Sequence, residues 1–234
     1  MRLAFISDIH GNYYALKAVL EYLIREGEPA YDRIISLGDI LAGHSGNQKV
    51  IDLLDQYHVE LIRGNHDGSF IPWDLIPANR VELLQSIAKW EEEHISKEIR
   101  NRLDKLPISL SIPLKDGRTL LAFHSNPKNL WDMANASDVD TEKMYSVYGG
   151  LAGDVLVYGH YHRSHVLEFD GKTLVNVASV SGFVSMYPDD LARFTTIESL
   201  PDRLVIRQEV VAYDVDAQTQ MDKETGAPFS PEWD

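Results

Sequence analysis

Five apolar runs in this chain end on residues that bind cations. "LAFIS" leads into Asp8-Ile9-His10, "RIISLG" into Asp39, "VELIRG" into Asn65-His66-Asp67, "LLAF" into His124, and "DVLVYG" into His160-Tyr161-His162. Five of the nine histidines occupy these slots, and there is no cysteine. The donors are thus carboxylate, amide oxygen and imidazole, a set suited to borderline divalent ions such as Mn, Fe, Co, Ni or Zn and unsuited to Cu(I) or iron–sulfur clusters. Two aspartates, one asparagine and four histidines are too many for one tetrahedral zinc. They suit two cations about 3.5–4 Å apart that share one carboxylate and a bridging hydroxide.

Taken singly, each block has a plainer reading. An aspartate after a strand commonly caps a helix. "GD" at 38–39 is a frequent turn, "GNHD" at 64–67 can satisfy its own backbone, and His124 in "FHSNP" can bond a nearby carbonyl. The force lies in the five occurring in order, each at a strand's carboxyl end, where open α/β sheets place ligands. In extended chain, residues i and i+2 project to one side, so Asp8 with His10 and His160 with His162 can each aim at one point. His165 has the opposite parity and is expected to be a bystander. Gly38, Gly64 and Gly159 precede three of the blocks, as expected where backbone turns tightly beside a site.

The elements that must position these residues are legible from periodicity. The apolar runs are short and lack strict alternation, which predicts strands buried on both faces. Ala15, Leu16, Val19, Leu20 and Leu23 form a helical stripe that stops at Gly27, and Val50, Ile51, Leu54 and Tyr57 form another. Strand, helix, strand, helix, strand predicts a parallel sheet. Residues 79–106 carry Leu84, Ile87, Ala88, Ile95, Ile99 and Leu103 on one stripe, a long helix or helical pair with Asn79 as its N-cap. From 107 the pattern turns to antiparallel strands, with candidates at 164–169, 172–177, 193–199 and 203–213. The expected organisation is one domain over 1–213 with a helical insertion at about 70–106. An acidic tail over 214–234 follows, either unstructured or docked through Phe229 and Trp233.

Composition narrows the partners. At 234 residues, 44% hydrophobic and 25% charged, the chain reads as an ordinary globular protein. A net charge of −14 disfavours a nucleic-acid partner, which normally meets a basic surface. No apolar run is long enough to span a membrane, and the N-terminus carries no secretory pattern, so a cytoplasmic location is expected. A homo-oligomer is left open.

The ordered blocks Asp8-x-His10, Gly38-Asp39, Gly64-Asn65-His66-Asp67, His124 and Gly159-His160-x-His162 resemble the calcineurin-like metallophosphoesterase superfamily over residues 1 to about 185. "SDIHGNYYAL", "GDILAGHSGNQKVIDLL" and "RGNHD" are closest to its small prokaryotic members. The resemblance implies an α/β (α+β) fold, a four-layer αββα sandwich with two mixed β-sheets. It implies that Asp8, His10 and His162 bind one cation and Asn65, His124 and His160 the other, with Asp39 bridging; manganese is the first expectation. His66 then serves the leaving-group oxygen, by protonating it or stabilising its charge. The implied activity is hydrolysis of a small-molecule phosphate ester, with a phosphodiesterase favoured over a phosphomonoesterase or dinucleoside-polyphosphate hydrolase; the fold also occurs as a non-catalytic scaffold. Ala42 and Gly43 stand where protein phosphatases of the superfamily carry Asp and Arg, and Asp67 replaces their Glu, which disfavours a phosphoprotein substrate. Ala42 also stands where purple acid phosphatases carry an iron-binding tyrosine. Arg163, Arg63 and Lys128 are the nearby cations that could meet a phosphate. Trp73, Trp131 and Tyr161 could stack an aromatic group.

Overall fold

Alternate residues of the first strand face two different cores, and that alternation sets the architecture. In the computed structural model of the chain, which describes residues 1–25, 28–68, 71–76, 78–131, 141–181 and 190–227, β1 (Arg2–Ile6) sends Leu3 and Phe5 into one cluster and Ala4 and Ile6 into another. Helix α1 (Tyr13–Leu23) follows, its buried stripe being Ala15, Leu16, Val19, Leu20 and Leu23 as the spacing predicts. Asn12 starts it by accepting from the Ala15 amide at 3.0 Å. Two-residue strands β2 (Ile24–Arg25) and β3 (Glu28–Pro29) pair with each other. Then come β4 (Arg33–Ser36), α2 (Asn47–Gln56) and β5 (Glu60–Leu61). The β1–β4 and β4–β5 pairs are parallel, as the strand–helix rhythm requires.

The stretch expected as one long helix or a pair is a pair, α3 (Ala78–His94) and α4 (Lys97–Leu103). Ser96 breaks it by capping α4, accepting from the Ile99 amide at 3.3 Å. Asn79 lies inside α3 and does not cap it. Ile95 and Leu103 reach the core under α1 and α2, and Ile87 packs on Ala42.

Strands β6 (Ser109–Pro113) and β7 (Thr119–Phe123) form an antiparallel hairpin. Helix α5 (Thr141–Met144) runs into a π-helical turn, Tyr145–Gly149, before β8 (Val155–Tyr158), β9 (His165–Phe169) and β10 (Lys172–Asn176). Here the purely antiparallel expectation fails: β7–β8 and β8–β10 are parallel. The chain between β7 and β8 is a crossover carrying α5, which returns β8 in the direction of β7. Strands β11 (Leu191–Ser199) and β12 (Leu204–Ala212) complete the first sheet, in the order β12-β11-β1-β4-β5; the second runs β6-β7-β8-β10-β9.

The layers follow from the clusters. Leu3, Phe5 and Ile35 of the first sheet meet Leu120, Ala122, Val155, Val157 and Val175 of the second in an apolar layer between sheets. Helices α1 and α2 cover the outer face of the first sheet. Met144, Val147 and Tyr148 cover Phe123, Leu156, Tyr158 and Leu174 on the outer face of the second. This is the four-layer sandwich with two mixed sheets.

The polar stretch after 213 is a correction to the expected tail. It forms α6 (Val215–Thr225), capped by Asp214 and ended by Gly226 at φ +66°. Its anchors are polar: Trp90 Nε1 donates to the Thr225 carbonyl at 3.2 Å, and Asp222 is 1% exposed. Phe229 and Trp233 lie outside the described residues. No described helix is long and apolar enough to cross a membrane.

Candidate metal centre

The turns after β1, β4, β5, β7 and β8 meet at one rim of the sandwich. They carry there all seven residues expected to hold cations. The route differs from the expected one. Asp8, His10, Asp39, His160 and His162 all have positive φ, between 49° and 70°, so the pairs at i and i+2 converge through left-handed backbone and not through a strand's pleat. Such residues cost about 1–2 kcal/mol each. Hydrogen bonds between turns hold them: the Asp8 amide donates to Gly38 O at 2.9 Å, His10 to Asp39 O at 3.0 Å, and Ser181 to Asp8 O at 3.1 Å.

The side chains form two groups. The ligand atoms of Asp8, His10 and His162 lie within 4.8 Å of one another, as do those of Asp39, His124 and His160. One oxygen of the second group also faces the first. Asp39 Oδ2 lies 3.2 Å from His124 Nε2 and 3.9 Å from His10 Nε2. Asn65 Oδ1 joins the second group at 2.9 Å from His124 Nε2.

The polar atoms converge in a way that positive charge stabilises. His10 Nδ1 lies 2.9 Å from the Ala42 carbonyl, and His124 Nδ1 lies 3.1 Å from that of Leu37, so each Nδ1 carries the hydrogen. Each Nε2 of a neutral ring is then a lone pair. His10 Nε2 confronts His162 Nε2 at 3.3 Å, and His124 Nε2 confronts His160 Nδ1 at 3.2 Å, with Asn65 and Asp39 oxygens beside it. Acceptors crowding acceptors in a buried site repel unless a positive charge sits among them. The donors fit two divalent ions.

Electrostatics give the same reading. Burial pushes His10 down to about 4, and burial with the His124 charge pushes His160 down to about 3, leaving both as neutral ligands. Burial would lower His124 too, but Asp39 outweighs it and holds the ring at about 9. Burial opposes ionisation of Asp8 and Asp39, yet the facing histidines keep both carboxyls below the ordinary range.

His66 belongs to neither group. Its ring centroid lies 5.9 Å from that of His10 and 5.6 Å from that of Trp131, while its amide donates to Asp39 Oδ1 at 2.8 Å. Burial lowers its pKa, and the neutral ring still offers one N–H. His165 bonds Tyr158 OH at 2.7 Å within the second sheet and takes no part. Arg63 is committed to Asp104, with its carbonyl at 3.0 Å and its carboxylate at 3.1 Å. Arg163 and Lys128 are exposed.

Two supports were not readable as site residues. Asp67 reaches beyond its own turn: it accepts from the Gly64 and Asp39 amides at 2.8 Å and from Ile40 at 2.9 Å, clasping two turns together. Its proximity to "GNH" was the available signal. Asp222 of α6 accepts from His44 Nδ1 at 2.6 Å and from the Ser45 amide at 2.8 Å, and nothing local in the sequence pointed to it. Glycine is required where turns touch. A Cβ on Gly38 would lie 2.2 Å from Gly64 N, and one on Gly159 would lie 2.0 Å from Ser7 Oγ.

The calcineurin-like phosphoesterase superfamily domain matches residues 1–197. The chain belongs to this superfamily. In fold it is similar to hypothetical protein PH1004 from Pyrococcus horikoshii, with TM-score 0.78 and 21% identity over 97% of this chain and 94% of that one. It is also similar to a metallophosphoesterase from Sphaerobacter thermophilus, with TM-score 0.71 and 21% identity over 97% and 95%. At the sequence level an uncharacterised protein of Methanocaldococcus jannaschii is 27% identical over 181 residues, covering 76% of this chain and 69% of that one. At Ala42 the contact with the centre is the backbone carbonyl that meets His10.

Proposed function

We propose that this protein hydrolyses small-molecule phosphodiesters at a dinuclear centre held by Asp8, His10, Asp39, Asn65, His124, His160 and His162. The observation that carries this is the position of Asp39 Oδ2 between two groups of donors, as a bridging carboxylate requires. When bound, two divalent ions supply charge neutralisation at the phosphate and activation of water at neutral pH. Manganese is the proposed ion, on the all-nitrogen-and-oxygen donor set.

The protein's own residues do the rest. His10 and His124 are fixed in the tautomer that presents Nε2, through the Ala42 and Leu37 carbonyls. Asp67 holds the Asp39 and Asn65 turns at fixed separation. His66, at the edge of the centre beside Trp131, donates its N–H to the departing alkoxide. The choice of diester rests on charge. Arg63 is paired with Asp104, and Arg163 and Lys128 are exposed, so none of the three is held in place against a second charge on the reacting phosphate. A singly charged diester needs less.

The test is a panel of aryl phosphodiesters, aryl phosphomonoesters and dinucleoside polyphosphates, assayed with manganese and with a chelated control. The expected result is chelator-sensitive turnover with the highest kcat/KM on diesters. Protein carrying two ions that turned over none of the panel would refute hydrolysis, and a monoester preference would refute the diester assignment.

A further inference from the structure

His66 has a second surface. On the side of the helical pair it helps line a cavity of about 240 Å³, bounded by Leu41, Asp67 and Gly68 on the metal-centre side and by α3 and α4 opposite. Drug-sized ligand sites run to about 300–1,000 Å³, so this one takes a fragment of about one ring and no polymer strand. Its walls combine aliphatic side chains, among them Ile95 and Leu103, with the polar groups of His66, Asp67, Glu91, Glu92 and Arg100.

Arg100 is the informative residue. Its Nε is buried and has no hydrogen-bond partner among the described residues; the Arg63 Nε shares that state, but the Arg63 guanidinium meets Asp104 through its other nitrogens. A buried N–H donor left unmet is costly, and in a cavity it marks where a ligand acceptor belongs. Across the cavity, burial, with Asp67 and Asp39 behind it, pushes the Glu91 carboxyl up to about 8, which Arg100 only partly opposes. Among the described lining residues Arg100 is the one guanidinium, the Asp67 carboxylate is already met by three backbone amides, and the aliphatic wall suits the body of a ring.

We propose that this cavity is the leaving-group subsite, and that Arg100 binds an oxyanion, a carboxylate or second phosphate, carried on the departing alcohol. His66 is common to the centre and the cavity, which places the leaving oxygen between them. This reading rests on the proposed hydrolysis. It deepens it by naming the substrate class: a diester whose leaving alcohol is compact and anionic.

The experiment uses the manganese-loaded full chain and three aryl diesters that differ only at the para position of the leaving phenol: methyl ester, carboxylate or phosphate. Wild type is expected to prefer an anionic leaving group by about tenfold in kcat/KM, the scale of a partly exposed charge pair. Arg100→Gln should abolish that preference and leave turnover of the methyl ester within about twofold, and Arg100→Lys should restore part of it. The phosphate and carboxylate arms identify which oxyanion is preferred. Equal rates on all three esters in wild type, or an undiminished preference in Arg100→Gln, overturn the subsite while leaving hydrolysis standing. Calorimetric titration with free 4-hydroxybenzoate and 4-hydroxyphenyl phosphate reads the subsite without turnover: binding lost in Arg100→Gln supports it even if no ester is cleaved. Binding equal in both proteins overturns it.

Discussion

The two halves of the centre hold similar donors by different means. The half with Asp39, Asn65, His124 and His160 is built into the sheets. His124 is fully buried at the end of β7, its Nδ1 meets Leu37 just past β4, and Asp67 clasps the Asp39 and Asn65 turns. The half with Asp8, His10 and His162 leans on a loop. His10 Nδ1 meets the Ala42 carbonyl, the His44 amide returns to His10 O at 2.8 Å, and Asp222 of α6 holds the same loop. One half is therefore as stable as the sandwich, and the other is as stable as the docking of the last helix. Two ions that share a carboxylate can then differ in how readily each is lost.

The largest break in that comparison is Asp39→Ala, because Asp39 Oδ2 faces both halves. It should remove both ions together and lower kcat/KM by on the order of a thousandfold. Metal analysis of the purified protein checks this, and loss of a single ion would show that the carboxylate serves only one half. His66→Ala comes next and touches neither half. It should keep both ions while turnover falls about a hundredfold, as for loss of one acid–base group. Wild-type kcat in that variant would remove His66 from the reaction.

Both halves were legible in the sequence. A donor shortly after a buried run needs no partner to be noticed, and β1, β4, β7 and β8 each end that way. The topology of the first sheet was legible from the strand–helix rhythm. The left-handed backbone at Asp8, His10 and His160 was not, since local propensity disfavours it for these residues and only the assembled turns impose it. Strand β5 shrank to Glu60–Leu61 because β4 offers it only Ile35 and Ser36 as partners. Helix α6 was missed because its sequence has almost no apolar stripe. Its anchor, Asp222, pairs with a residue 178 positions away, and no periodicity encodes that contact.

The last prediction sharpens the comparison where the effect is smallest. Asp222 accepts four hydrogen bonds: from His44 Nδ1, the Ser45 amide, Ser45 Oγ and Gln218 Nε2, at 2.6–2.9 Å. Asp222→Ala leaves the 44–45 loop unanchored, and with it the carbonyl that fixes His10. Loss of a group that orients a ligand typically costs 10–100-fold in metal affinity, and the expectation here is about tenfold, confined to one ion. Stepwise chelation should then release one ion early from the variant and the other at the wild-type concentration. The carboxyl supplies a second reading. Burial would raise its pKa, but His44 and Ser45 outweigh that and hold it below the ordinary aspartate value. A depressed folded-state pKa contributes stability that is complete above the ordinary value and lost as pH falls through the depressed one. The melting-temperature gap between wild type and Asp222→Asn should therefore be full at neutral pH and close only in strong acid. Equal early release of both ions from Asp222→Ala would show that the halves are one unit, and unchanged release of either would confine α6 to the stability of the fold.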